Sequence, residues 1–186
     1  ELVEKSLVRA DQDAAGGARY RMLETIREYD LEQLAASGEE ADIRENHARF
    51  FVDRMCAIWD SCAYLRPGFT YDSEEGNLRA ALEWCRENDV TSGLLLLGAL
   101  NDFWVSHHHW SEGKAFAEAL LGAKAEVPAA ARAVGYLAMG TIAHNEGKYL
   151  EAERLHCTAL DLYTEAGHAA GMALAHVWVA GHLGRQ

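Results

Sequence analysis

The sequence predicts an all-α protein of antiparallel helix pairs, preceded by a short N-terminal β-hairpin. Three observations carry that prediction. Only 2 of the 186 residues are proline, too few for a turn-rich sheet fold and few enough to sit at helix ends. From Met22 onward, apolar residues recur at spacings of three and four with few interruptions, the period of a helix with one buried face. Residues 136–142 also line up with residues 177–183 at an offset of 41, a repeat as long as a helical hairpin.

The elements follow in order, each with a local cause. Glu1 to Lys5 reads as the tail of a helix. Ser6–Ala10 and Ala18–Met22 alternate in strand fashion around Asp11–Gly17, a polar, glycine-containing link, so a hairpin is expected. A first helix runs from about Met22 to Ala36 and stops at Ser37-Gly38, where glycine supplies a left-handed residue. A second spans about Glu40 to Ala63, with Ile43, His47, Phe50, Phe51, Arg54, Met55, Ile58 and Trp59 at helical spacing. Tyr64–Tyr71 contains Pro67-Gly68 and reads as a loop. Asp72 with Glu75 forms a candidate capping box for a third helix, Ser73–Glu87. Asn88-Asp89 breaks it, and Thr91 or Ser92 caps a fourth helix through Leu94–Leu97 to about Ser106. Ser111 caps a fifth, to about Lys124. Pro128 sits in the first turn of a sixth, where its missing N–H is harmless, and Gly147 ends it. A seventh runs Lys148–Ala166, with Ala152, Leu155, Ala159, Leu162 and Tyr163 on one face. Gly167 ends that one, and an eighth begins near Ala169.

Charge narrows the function. The chain carries 17 Lys+Arg against 29 Asp+Glu, a formal net charge of -12, and both halves are net negative. That excludes general nucleic-acid binding through a positive field; Arg9, Arg19, Arg21 and Arg27 form a local basic exception near the start. Cys56, Cys62, Cys85 and Cys157 show no C-x-x-C spacing and read as free thiols in a reducing, cytoplasmic setting. The longest apolar run, Leu94–Leu100, is too short to span a bilayer, and no secretion signal is visible. The chain starts at Glu1 without a methionine and reads as a piece of a larger protein.

Three histidines, His107-His108-His109, lie between Trp104 and Trp110. Successive helical residues project about 100° apart, so three in a row cannot all reach one metal. A turn would bring two together with Asp102 or Glu112; the commoner reading is a polar inter-helix turn, and no metal is assigned. His156 adjoins Cys157, but neighbouring helical residues point apart. No catalytic residues are assigned.

The repeat has a recognisable form. Tyr136-Leu137-Ala138-Met139-Gly140-Thr141-Ile142, followed by Gly147, Tyr149, Ala152 and Ala159, occupies the small and aromatic positions of a tetratricopeptide-like hairpin. Leu97-Gly98, Trp110, Gly113, Phe116 and Leu120 form a more divergent earlier copy.

Two stretches go further. Arg19-Tyr20-Arg21-Met22-Leu23-Glu24-Thr25-Ile26-Arg27-Glu28-Tyr29 and Glu75-Gly76-Asn77-Leu78-Arg79-Ala80-Ala81-Leu82-Glu83-Trp84 resemble a family of large bacterial regulators. These are LuxR-like or antibiotic-regulatory-type transcriptional regulators, signal-transducing ATPases with an NB-ARC-like domain, a winged helix and helical repeats. The resemblance covers nearly the whole chain. It implies that residues 1–22 end a winged helix, that 23–90 are linker helices, and that 91–186 form a tetratricopeptide-like superhelix. No G-x-x-x-x-G-K-[ST] occurs, so this segment is expected to be non-catalytic and without a cofactor; ATP and Mg²⁺ are implied only for the missing parent domain.

Asp30 departs from the family's usual alanine, and His107-His108 from its arginine-glycine, which puts the tight turn there in question. Carrying the groove positions over on the Gly98, Gly140 and Gly181 registers selects Asp102, Phe103, Thr141, His144, Asn145, Trp178, His182 and Arg185. The implied partners are the parent's own nucleotide-binding domain and a peptide, protein or small-molecule inducer, with no membrane. Arg9, Arg19, Arg21 and Arg27 would serve interdomain contact, or DNA as the alternative.

Overall fold

A computed structural model describes residues 3, 5, 7–12, 18–60 and 71–183. Strands β1 (Val8–Gln12) and β2 (Ala18–Met22) pair antiparallel, with Arg9 opposite Arg21 and Asp11 opposite Arg19. Helices follow: α1 (Glu24–Ser37), α2 (Glu40–Asp60), α3 (Tyr71–Asn88), α4 (Val90–Ala99), α5 (Asn101–Ser106), α6 (Trp110–Leu121), α7 (Ala129–Asn145), α8 (Tyr149–Glu165) and α9 (Ala169–Leu183). This is the all-α class with one hairpin. The hairpin link at 13–17 and most of the 64–71 loop lie outside the described residues, as does most of the expected helix tail at 1–5.

Helix ends follow backbone chemistry. Gly147 and Gly167 take φ of 79° and 64°, a conformation costly for residues with a Cβ. Beyond them Lys148 N–H donates to the Ala143 carbonyl and His168 N–H to the Tyr163 carbonyl, both at 2.9 Å, closing Schellman ends. The three-residue links that result fold α7, α8 and α9 back on one another.

Several expected boundaries are corrected. Helix α3 begins at Tyr71, which places Asp72 inside the helix instead of at its cap. Its Glu75 instead pairs with Arg79. Asp89 caps α4 instead of Thr91 or Ser92, because its carboxylate accepts both Ser92 N–H (3.1 Å) and Ser92 Oγ–H (2.6 Å). Pro128 is the N-cap of α7 and lies just outside its first turn. The long fourth helix is broken at Leu100. The Trp104 indole N–H donates to the Leu97 carbonyl across the break, at 3.3 Å, so the bend leaves that buried acceptor satisfied.

The turn before α6 is kept without glycine: His108 adopts φ of 58°, which histidine tolerates better than most residues. Its ring lies edge-on to Trp110.

The main core gathers Phe51, Met55, Leu78, Leu82, Leu94, Leu97, Trp104 and Leu120 from α2 to α6. A second cluster, Leu137, Ala159, Tyr163 and Ala175, joins α7, α8 and α9. Helix α1 buries none of its residues, and its Asp30 is half-buried. Close helix crossings depend on missing side chains. A Cβ on Gly98 would stand 2.2 Å from Val134 Cγ1, and one on Gly140 would stand 2.5 Å from the His156 ring.

Three stability predictions follow from these backbone positions. Gly140→Ala should cost about 1–3 kcal/mol by overpacking, whereas Gly76→Ala, with nothing within 4 Å of the added methyl, should gain up to about 1 kcal/mol of helix propensity. His108→Gly should stabilise by about 1 kcal/mol by relieving the left-handed backbone. Urea denaturation of the three variants measures each difference.

Candidate functional site

A cavity of about 200 Å³ lies between α4, α5, α7 and α9, beside the break at Leu100. Gly98 forms its wall on α4, and Asn101 and Asp102 enter from the first turn of α5. Helix α7 contributes Val134, Leu137, Ala138 and Thr141, and α9 contributes Leu174 and Trp178. The α7 stripe follows from spacing: positions 134, 137, 138 and 141 recur at three and four.

The lining is mostly apolar, with Asn101, Asp102 and Thr141 as its polar groups. Thr141 is buried, and its hydroxyl donates to the Leu137 carbonyl at 3.0 Å. The Asn101 side-chain oxygen is buried and has no hydrogen-bond partner. Asp102 stands at the exposed rim, yet burial of its carboxyl among apolar neighbours raises its pKa above the usual carboxylate value. Trp178 is held by two rings: it stacks on buried His156 (centroids 4.9 Å apart, 25°) and meets His144 edge-on at 5.4 Å.

Of the residues singled out by sequence, Asp102, Thr141 and Trp178 therefore meet around one cavity. His144 buttresses Trp178 from behind. Asn145 is exposed and donates to the Thr141 carbonyl at 2.8 Å. Phe103 does not belong to the groove: it is buried against Trp104 and Tyr71, because the bend turns the α5 face that carries it into the core. His182 lies near the end of α9 with its side chain outside the described residues, and Arg185 is outside them altogether. Sequence reasoning passed over Asn101, whose buried amide oxygen only the bend reveals.

The other clusters are held by different partners. His109 sits between Glu75 (3.6 Å) and Glu112 (3.9 Å). Arg79 binds both carboxylates, meeting Glu112 through two nitrogens and tying α3 to α6. Among the described residues no group of three His, Cys, Asp or Glu side chains is arranged to hold a metal ion. Cys85 is buried, and its pKa is pushed up to about 12, first by burial and then by Asp89 and Cys56. Cys157 is exposed on α8, whereas its neighbour His156 is fully buried; Cys62 lies outside the described residues. On the hairpin, Arg9 and Arg21 are both exposed. Arg27 pairs with Glu24 at 2.9 Å on α1, and for Arg19 only the strand position is described. Among the described residues no helix is long and apolar enough to cross a membrane.

The chain is similar to part of three mycobacterial proteins, one from Mycobacterium bovis and two from Mycobacterium tuberculosis. Each bears the name "Putative HTH-type transcriptional regulator", with 40% identity over 124 residues. The match takes in 64% of this chain but only 14% of each relative, so the chain spans a small fraction of the curated relatives it matches. No protein-family profile matches the chain, and no solved structure gives a significant match.

The raised pKa of Asp102 has a measurable consequence. The folded state holds this proton more tightly than the unfolded chain does, so stability falls as pH rises through the carboxylate range. Asp102→Asn removes that penalty. The variant should melt above the unsubstituted chain at pH 7, and the gap should close near pH 3, where both carry a neutral side chain; thermal melts at the two pH values check it.

Proposed function

We propose that this chain is a non-catalytic, ligand-binding sensor and scaffold segment of a bacterial transcriptional regulator of the signal-transducing ATPase class. In this reading α4 to α9 form a tetratricopeptide-like superhelical array behind linker helices, and the hairpin ends a winged helix. The observation that carries it is the shared cavity. The first helices of two successive pairs (α4 with α5, and α7) and the helix that follows, α9, line one space with apolar and polar side chains, the make-up of a small-molecule or peptide site. The names of the mycobacterial relatives support the regulatory setting.

Occupation of the cavity would fix the angle between α5, α7 and α9, and the linker helices would carry that change to a nucleotide-binding domain elsewhere in a cytoplasmic parent. ATP and Mg²⁺ belong to that domain; the segment itself takes no cofactor. The test is a transcriptional reporter driven by the full-length regulator. Trp178→Ala should abolish the induced response while the regulator's abundance stays level, and an unaltered response would remove the assignment.

A second reading has one observation in its favour. Arg9 lies directly opposite Arg21 on the hairpin, and both are exposed, which places two cations side by side on the wing. DNA contact by the wing predicts duplex binding at low salt that is lost on Arg9→Ala with Arg21→Ala. A salt-dependent titration showing no binding excludes it.

A further inference from the structure

The chemistry of the cavity narrows its occupant, on the reading that it is the ligand site of a regulator. We propose that it takes a small protonated amine carried on a compact apolar body the size of a single ring. The volume sets the body. A cavity of about 150 Å³ holds benzene, so about 200 Å³ leaves room for one ring and a short substituent. Leu137, Ala138, Leu174 and Val134 supply the wall for it, and the Trp178 indole offers a face for stacking.

The polar groups set the head group. Asn101 presents an unpartnered buried amide oxygen, which calls for a donor. No described residue forms an ion pair or hydrogen bond with the Asp102 carboxylate. The Thr141 hydroxyl spends its proton on Leu137, so it too is left as an acceptor. Three acceptors in the lining, one of them the Asp102 carboxylate, match an ammonium group, with three N–H donors and no acceptor. A carboxylate or phosphate would be repelled by the Asp102 charge. The partial desolvation already felt by Asp102 is relieved by a bound cation, and the net charge of -12 favours the approach of cations over anions.

The experiment is calorimetric titration of the 186-residue chain with benzylamine, benzyl alcohol and benzoate at pH 7, repeated on Asp102→Asn and Ala138→Met. Benzylamine should bind roughly tenfold or more tightly than benzyl alcohol, since a charge-assisted hydrogen bond outweighs a neutral one. Asp102→Asn, a rim substitution that leaves the core alone, should erase that difference, and benzoate should not bind. Ala138→Met fills the space and should abolish binding of every probe; its thermal melt shows whether it is folded, and Asp102→Asn carries the test if it is not. Equal binding of alcohol or benzoate overturns the amine assignment while leaving the cavity a ligand site. Failure of all three probes also overturns the amine, and the reporter response of Trp178→Ala then decides the regulator reading on its own.

Discussion

The structure depends on helices that approach closely because a side chain is missing at the crossing. Val134 rests where a Gly98 Cβ would be, and the His156 ring rests where a Gly140 Cβ would be. Both contacts position the cavity. The first sets α4 against α7 and so fixes the wall beneath Asn101. The second seats His156 deep under α7, where its ring becomes the platform on which Trp178 stacks. Packing at these crossings is dense and unforgiving.

The bend at Leu100 couples the backbone to the chemistry. Just beyond it Phe103 is buried, while its neighbour Asp102 is exposed at the cavity rim. The Trp104 indole N–H satisfies the Leu97 carbonyl across the break. On the opposite side, Arg79 holds α3 to α6 through Glu75 and Glu112, and the acidic surface is stitched there by a single two-helix cation. Polar interactions thus serve two separate ends: they brace the first helices, and they stand uncommitted at the cavity.

Much of the fold was legible in the residues. Gly38, Gly147 and Gly167 mark helix ends because left-handed backbone is open to glycine at little cost, and the repeat register on Gly98 and Gly140 identified two crossings that do need a small residue. Local patterns failed where two residues competed for one role. Asp89 took the cap from Thr91 and Ser92 because its carboxylate reaches both Ser92 donors. The Asp72 capping box gave way to a longer α3 and to Arg79's claim on Glu75. At the site, the groove positions implied by the family resemblance include Asp102, Thr141 and Trp178, which line the cavity, and Phe103, which does not; Asn101 was not among them. Adjacent helical positions project about 100° apart, so which of them faces the core depends on how the short α5 is seated.

The sequence by itself determined that this protein is helical and acidic, with short links between its later helices, because periodicity, glycine placement and charge are local properties. Only the tertiary structure decided that Asn101 and Asp102 meet Thr141 and Trp178 around one space. Those residues lie as much as 77 positions apart, and what joins them is the angle of the break at Leu100 and the depth of the α4–α7 crossing. Both are set by packing among three helices at once, and no single stretch of chain encodes them.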